Sequence, residues 1–430
     1  MDLLNNDIRK FTFEDISDFC QEGHREGIQL DYKKELPKNI DKHFASFSNT
    51  RGGVIIIGVE EDAATGVPKA WEGISSIAKV IEIIHQNASN VDPIPSYDVC
   101  ATNDKDCKSF VMIRIFEGDR PPYYVQNNPN LYVRTGNVTK SIDIAQPEQV
   151  KILLNKANEA RIARENSISM AEKAYDHALK RAEFERNARI AKARTRDHYN
   201  SADYFQQELG TSTSILSICV QPYYPRKGLI TPREIWDKIS EIKCVNKNTE
   251  FPCSNPDTTI PNGLVRLDWR QDNGYVGFEE ITSNGLLLMK CDVLRLGEDG
   301  VSKYTHMYKF ALNLGTLLMA ARNFYNLVGY RGGITGFMNL KNAEEILAYA
   351  LSTTGYSLPK PRSAPQRATL LDYYHWDFEL DTSILNDPNS FLDWFHAFFS
   401  DVYWSFGFLD LDKEVLKIFL KEELRMNFND

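Results

Sequence analysis

The chain has 430 residues, 42% of them hydrophobic and 25% charged, with a formal net charge of −9. That length predicts two or three domains rather than one core, and the composition is that of a globular protein able to bury sizeable cores. The acidic balance excludes a uniformly basic nucleic-acid binder but leaves room for local basic patches, because binding follows where charges sit rather than their sum.

Residues 1 to 20 read as a short lead-in with no apolar stretch of signal-peptide type. Ile28 to Lys33 predicts a strand with Leu30 and Tyr32 on one face and Asp31 and Lys33 on the other. Ile40, Phe44 and Phe47 fall at helical spacing, so residues 38 to 48 predict an amphipathic helix, ended by Asn49-Thr50-Arg51-Gly52-Gly53. Val54 to Val59 is a nearly all-apolar run, as expected of a strand covered on both faces. A helix over Ile74 to Gln86 and strands at Tyr97 to Ala101, Phe110 to Phe116 and Leu131 to Arg134 complete an α/β or α+β domain over residues 1–145.

Residues 146 to 200 change character: they are rich in Ala, Glu, Lys and Arg, with no Gly and Pro only at Pro147. They predict a long helical connector, as one helix or a hairpin, whose alanine seam needs a partner. From Lys180 on, basic residues outnumber acidic ones, which suits a solvated face or a phosphate-binding stripe. Residues 201–360 predict an α+β region, with a hairpin from Leu264 to Glu280 and a long helix within Tyr304 to Leu327. The best candidate for a membrane span, Phe310 to Leu327, is broken by Asn313, Arg322 and Asn323, so a cytoplasmic protein is expected. Leu358 to Gln366 reads as a linker. Beyond it, residues 361–430 are acidic, aromatic and mainly helical, with Phe391, Trp394, Phe395, Phe398 and Phe399 spaced as a core-facing stripe. The seven cysteines are scattered and form no Cys-x-x-Cys pair, which argues against a disulfide framework or a zinc site. The eight histidines show no zinc-binding spacing, although His24 lies two residues before Glu26.

The chemistry concentrates in Glu26 to Lys33 and Phe44 to Glu61. Asp31 and Lys33 share a strand face. Gly27 lets the chain bend, so that Glu26 can return to that side. Glu61 closes the buried strand, where open α/β sheets place their ligand crevices. If the two strands are neighbours, Glu26, Asp31 and Glu61 converge. Clustered carboxylates of this kind suit Mg²⁺ or Mn²⁺, with Lys33 adding positive charge for a phosphoryl transition state. Solvated strand-end acids are the alternative. Arg25, Lys33, Arg51, Arg134 and Lys140 could flank such a centre and hold nucleic-acid phosphates.

Glu26, Asp31-Tyr32-Lys33, the run Phe44 to Gly53, Gly58 to Glu61, Trp71-Glu72-Gly73 and Leu131 to Lys140, in this order, resemble the Alba-like domain of the Schlafen family, as found in bacterial relatives. The resemblance covers about residues 20–145. It implies a nucleic-acid partner, RNA favoured over DNA, and divalent-metal-dependent endoribonuclease activity with Glu26, Asp31 and Glu61 as the acidic triad. It also implies a role in regulation or phage defence. The second and third acids differ in length from the family's Glu and Asp. Paired lobes in the family imply a homo-oligomer here, since the chain shows one copy. Two other readings stay open: a non-catalytic DNA- or RNA-binding regulator, and a nucleotide-binding signalling protein, although no Gly-x4-Gly-Lys-Ser/Thr loop is present.

Overall fold

The computed structural model describes residues 8–428, apart from 129, 144–146, 195–213, 224–228, 247–248, 253–257, 270–275, 297–301 and 352–368. The chain divides into two compact units, Met1–Ile162 and Ala163–Asp430.

The first unit opens with helix α1 (Phe13–Gln21). It is started by a capping box in which the Thr12 hydroxyl accepts from Asp15 N–H and the Asp15 carboxylate accepts from Thr12 N–H. Then come β1 (Leu30–Lys33), α2 (Ile40–Asn49), β2 (Gly53–Ile57), β3 (Val59–Glu61), β4 (Pro68–Trp71), α3 (Ile77–Ala88), β5 (Val91–Asp92), β6 (Tyr97–Ala101), β7 (Val111–Ile115), β8 (Tyr124–Val125), β9 (Asn130–Thr135) and β10 (Val138–Asp143). One sheet runs β1-β2-β7-β6 and another β10-β9-β8-β5, while β3 and β4 form a hairpin. Strands β1 and β2 are parallel, with Asp31 opposite Ile55 and Lys33 opposite Ile57.

Strand β2 is wholly buried because two cores meet on it. Val54 and Ile56 pack with Phe19, Tyr32 and Phe110 beside α1, whereas Ile55 and Ile57 pack with Phe44, Phe47 and Ile84 beside α2 and α3. The single strand expected over Val54 to Val59 is interrupted at Gly58. Its φ of +104° turns the chain, and a side chain there would meet Gly73 Cα at 2.6 Å. The Asn49-Thr50 pair ties α2 to the second sheet. Asn49 Nδ2 donates to the Tyr123 and Tyr132 carbonyls and its Oδ1 accepts from Tyr123 N–H, while Thr50 Oγ1 accepts from Arg134 N–H.

The connector is a single helix, α4 (Pro147–Arg194), of 48 residues, roughly 72 Å long at 1.5 Å per residue. Its first turns belong to the first unit: Leu153 packs on Leu131, and Lys156 Nζ donates to the Thr50 carbonyl at 3.0 Å. Farther along, Ile168, Ala171, Ala174, Tyr175 and Ala178 lie on strands of the second unit. The later part of the alanine seam, Ala171, Ala174 and Ala178, expected to need another subunit or a hairpin, is thus covered here by the chain's own sheet. Of the basic stretch, the side chains of Arg186, Arg189, Lys192, Arg194 and Arg196 lie outside the described residues.

The second unit is built on β11 (Ile215–Pro222), α5 (Pro232–Asp237), α6 (Ile239–Ile242), β12 (Cys244–Val245), β13 (Glu250–Phe251), β14 (Thr258–Ile260), β15 (Gly263–Trp269), β16 (Val276–Thr282), β17 (Leu287–Asp292), β18 (Arg295–Leu296), β19 (Lys303–His306), α7 (Met307–Leu327), β20 (Gly333–Lys341), β21 (Ile346–Tyr349), β22 (Tyr373–Asp381), α8 (Thr382–Asn386), α9 (Pro388–Ser405) and α10 (Lys413–Glu423). An antiparallel sheet runs β14-β15-β16-β17-β11-β20-β22. One face packs on α7 and α9 in a large apolar core that takes Phe391, Phe395, Phe398 and Phe399 of the aromatic stripe. The opposite face lies under α4 and mixes Phe278, Leu288 and Phe337 with buried Lys290, whose Nζ pairs with both Glu172 oxygens at 2.7 and 2.8 Å. On strands of this sheet, Ser217 Oγ, Gln221 Oε1, Glu280 Oε2 and Asn339 Oδ1 are buried without a hydrogen-bond partner. The linker expected at Leu358 to Gln366 lies outside the described residues. Among those described, no helix is long and apolar enough to cross a membrane.

Candidate nucleic-acid site

Glu26 precedes β1 in a bend held by its own N–H donating to the Gly66 carbonyl and by Gly27 N–H donating to the Leu30 carbonyl. The bend carries its carboxylate back over the strand, where Oε1 accepts from Tyr32 N–H at 2.6 Å. Lys33 Nζ lies 3.8 Å from Glu26 Oε1 and 3.0 Å from Asp31 Oδ2. Glu61, at the end of β3, lies beside Glu26 and acts on its carboxyl. Burial first, and then this contact with Glu61, push the Glu26 carboxyl up to about 8. The convergence of Glu26, Lys33 and Glu61 therefore comes from one bend, one parallel strand pair and the turn at Gly58.

Asp31 has a different environment. It is 1% exposed, and basic side chains face both of its oxygens: Lys33 and the His43 ring (Nδ1 at 3.3 Å) at Oδ2, and Arg134 Nη1 (3.3 Å) at Oδ1. Burial works to raise this carboxyl, but His43, Lys33 and Arg134 outweigh it and hold Asp31 well below the usual carboxylate range.

Arg134 corrects an expectation. Its side chain is fully buried, with Nη2 donating to the Gly27 carbonyl at 2.7 Å and the guanidinium 4.6 Å from the Phe47 ring centre. It cannot reach a nucleic-acid phosphate; it anchors Asp31 and the bend that carries Glu26. Arg25, Arg51 and Lys140 are exposed and Lys33 is partly exposed, so these four remain accessible to a polyanion. His24 stays outside the cluster, since its ring pairs with Glu22 at 2.7 Å and stacks on Phe19. His43 was not singled out from sequence. The signal was its place on the inward stripe of α2, three residues after Ile40 and four before Phe47, where a lone histidine reads as core.

For a divalent cation the residues fit in part. Among the described residues, no three His, Cys, Asp or Glu side chains are grouped so as to hold a metal ion. The three-acid arrangement is not assembled, because Lys33 lies between Glu26 and Asp31 and cations already surround Asp31. Glu61 is the acid nearest in effect to Glu26, raising its carboxyl. Mg²⁺ accepts one or two carboxylates with water completing its shell, so this donor pair suits it.

Residues 26–143 match the family model described as Schlafen, AlbA_2. No curated protein matches the chain. The chain is also similar to a solution structure of the N-terminal domain of a RecG-related ATP-dependent DNA helicase protein from Nitrosomonas europaea. Identity is 15% over 31% of this chain and 93% of that one, with a TM-score of 0.25. A crystal structure of a Corynebacterium diphtheriae protein is similar at 17% identity over 30% of this chain and 26% of that one, with a TM-score of 0.21. At these scores neither likeness bears on function. The family match and the ordered motifs agree on one assignment: the N-terminal unit carries a Schlafen AlbA_2 domain over residues 26–143.

Proposed function

We propose that this domain binds nucleic acid through its phosphate backbone and cleaves RNA as a divalent-metal-dependent endonuclease. The convergence of Glu26, Glu61 and Lys33 supports it most directly. Glu26 and Glu61 would hold Mg²⁺ or Mn²⁺, which when bound supplies Lewis-acid polarisation of a phosphoryl oxygen. Lys33 offers its ammonium to the charge that develops on the phosphate. Asp31 keeps Lys33 and His43 in register, a positioning role in place of the metal-ligand role expected for it. Arg25, Arg51 and Lys140 position flanking phosphates without reading sequence.

The test is cleavage of a structured RNA by the full chain with Mn²⁺ or Mg²⁺, and its loss in EDTA, in Glu26→Gln and in Glu61→Gln. Binding should persist in both variants and fall with salt at a log–log slope of about −0.7 per phosphate contacted for a single strand. Cleavage that survives either substitution would remove the pair from the chemistry. The competing reading is a non-catalytic DNA- or RNA-binding regulator. It draws on Asp31, whose contacts with Lys33, Arg134 and the His43 ring give it a purely structural reason to exist. Salt-sensitive binding with no cleavage under any divalent ion would favour it.

A further inference from the structure

The second unit contains a small sheet, β18-β19-β21, whose two faces differ. Thr305, Ile346 and Ala348 point into the core and are fully buried. The register puts the other face together: Arg295 lies opposite Tyr304, His306 follows two residues along the same strand, and His306 lies opposite Tyr349. The rings form one group, with His306 stacked on Tyr349 at 5.3 Å and 28°, and Tyr304 edge-on to both at 5.8 and 6.0 Å. All three rings are part-exposed, and none belongs to a core cluster.

A face that merely met solvent would carry isolated aromatics, and a face that completed a core would bury them. This one carries a contiguous aromatic platform with cations at its border. Arg295 is exposed at one end. Lys309 stands in the first turn of α7, with Nζ on the Val293 carbonyl at 3.3 Å. Burial first, and then the positive charges of Lys309 and Arg295, lower the protonation of His306. Stacking surfaces bordered by cations are what an unpaired nucleotide needs. The base lies on the rings and its phosphate meets the cations, in a manner tolerant of sequence.

We propose that this aromatic face of the second unit, made by Tyr304, His306 and Tyr349 with Arg295 and Lys309, binds single-stranded nucleic acid. The site is separate from the acidic cluster of the AlbA_2 domain, and no activity of that cluster is needed for it.

The experiment is fluorescence anisotropy of the full chain with a fluorescein-labelled, unstructured 12-nucleotide RNA in EDTA. Tyr349→Ala and Arg295→Glu should each weaken binding roughly tenfold, in line with the loss of one stacked base. Tyr349→Phe should restore it, since the ring is kept. Arg295→Glu changes an exposed residue, so its effect does not turn on folding, and thermal denaturation checks Tyr349→Ala. Arg25→Glu/Arg51→Glu separates this site from the N-terminal one. If that double variant abolishes binding while Tyr349→Ala and Arg295→Glu leave it unchanged, the inference is overturned and the N-terminal reading stands. If the wild-type chain does not bind the RNA, both fall.

Discussion

Arg134 shows how burial changes the meaning of a basic residue. In the sequence it stands beside exposed Lys140, and both read as phosphate contacts. In the fold it is enclosed by Phe47, the Gly27 carbonyl and Asp31. Removing one partner of a buried ion pair leaves the other uncompensated, at about 3–5 kcal/mol. Arg134→Ala should therefore lose stability on that scale in urea denaturation, and Arg134→Lys should recover little, since an ammonium lacks the planar fork that meets Asp31 and the Gly27 carbonyl together. A loss below about 1 kcal/mol, typical of an exposed pair, would contradict the anchoring role. Glu280 makes a second case. Burial, opposed by Lys290 and assisted by Glu172, pushes its carboxyl up to about 7. Unfolded, the group ionises near pH 4.3. Between those values the unfolded state releases a proton that the folded state keeps, so stability falls as pH rises from about 4.5 to 7. Thermal denaturation across that range should show Glu280→Gln gaining on the wild type as pH rises; parallel curves would mean that Glu280 is ionised in the fold. Neither behaviour was legible in the sequence, because Arg134 meets a partner more than 100 residues away and Glu280 responds to burial that only the fold creates.

At the scale of elements the sequence was more informative. Periodicity located α2, α3 and α9, and the all-apolar run at Val54 correctly implied cover on both faces. It did not show the turn at Gly58, because a glycine inside an apolar run has no periodic signature. The alternation of Asp31 and Lys33 anticipated their shared face, and the flexibility of Gly27 anticipated the return of Glu26. The extent of α4 was visible in composition, but its partner was not: an alanine seam does not say which surface it meets. Helix α4 also sets where the first unit ends. A fragment of residues 1–145 lacks Leu153 on Leu131, the Lys156 hydrogen bond to Thr50 and the Lys156–Glu117 ion pair. It should be less stable than residues 1–165 by about 2–4 kcal/mol in urea denaturation, the sum of one buried leucine and one hydrogen bond. Equal stability of the two fragments would show that these turns only extend from the domain.

Over the whole molecule, a net charge of −9 coexists with exposed Arg25, Arg51 and Lys140 in the first unit and Arg295 in the second. A polyanion approaching this chain meets local fields that the total conceals, so its binding should weaken with salt despite the acidic sum. The Asp31 network has a consequence for descent. Folding alone selects Asp31 and Arg134, since the loss of either strands the other's charge in the interior. A lineage without the proposed cleavage would keep this part of the motif for as long as it kept the fold. Glu61 accepts no such duty. It is part-exposed at the tip of a short strand, and drift would erase it first. Among relatives of this chain, the residue at the position of Glu61 is thus the one whose identity would record whether the proposed chemistry was retained.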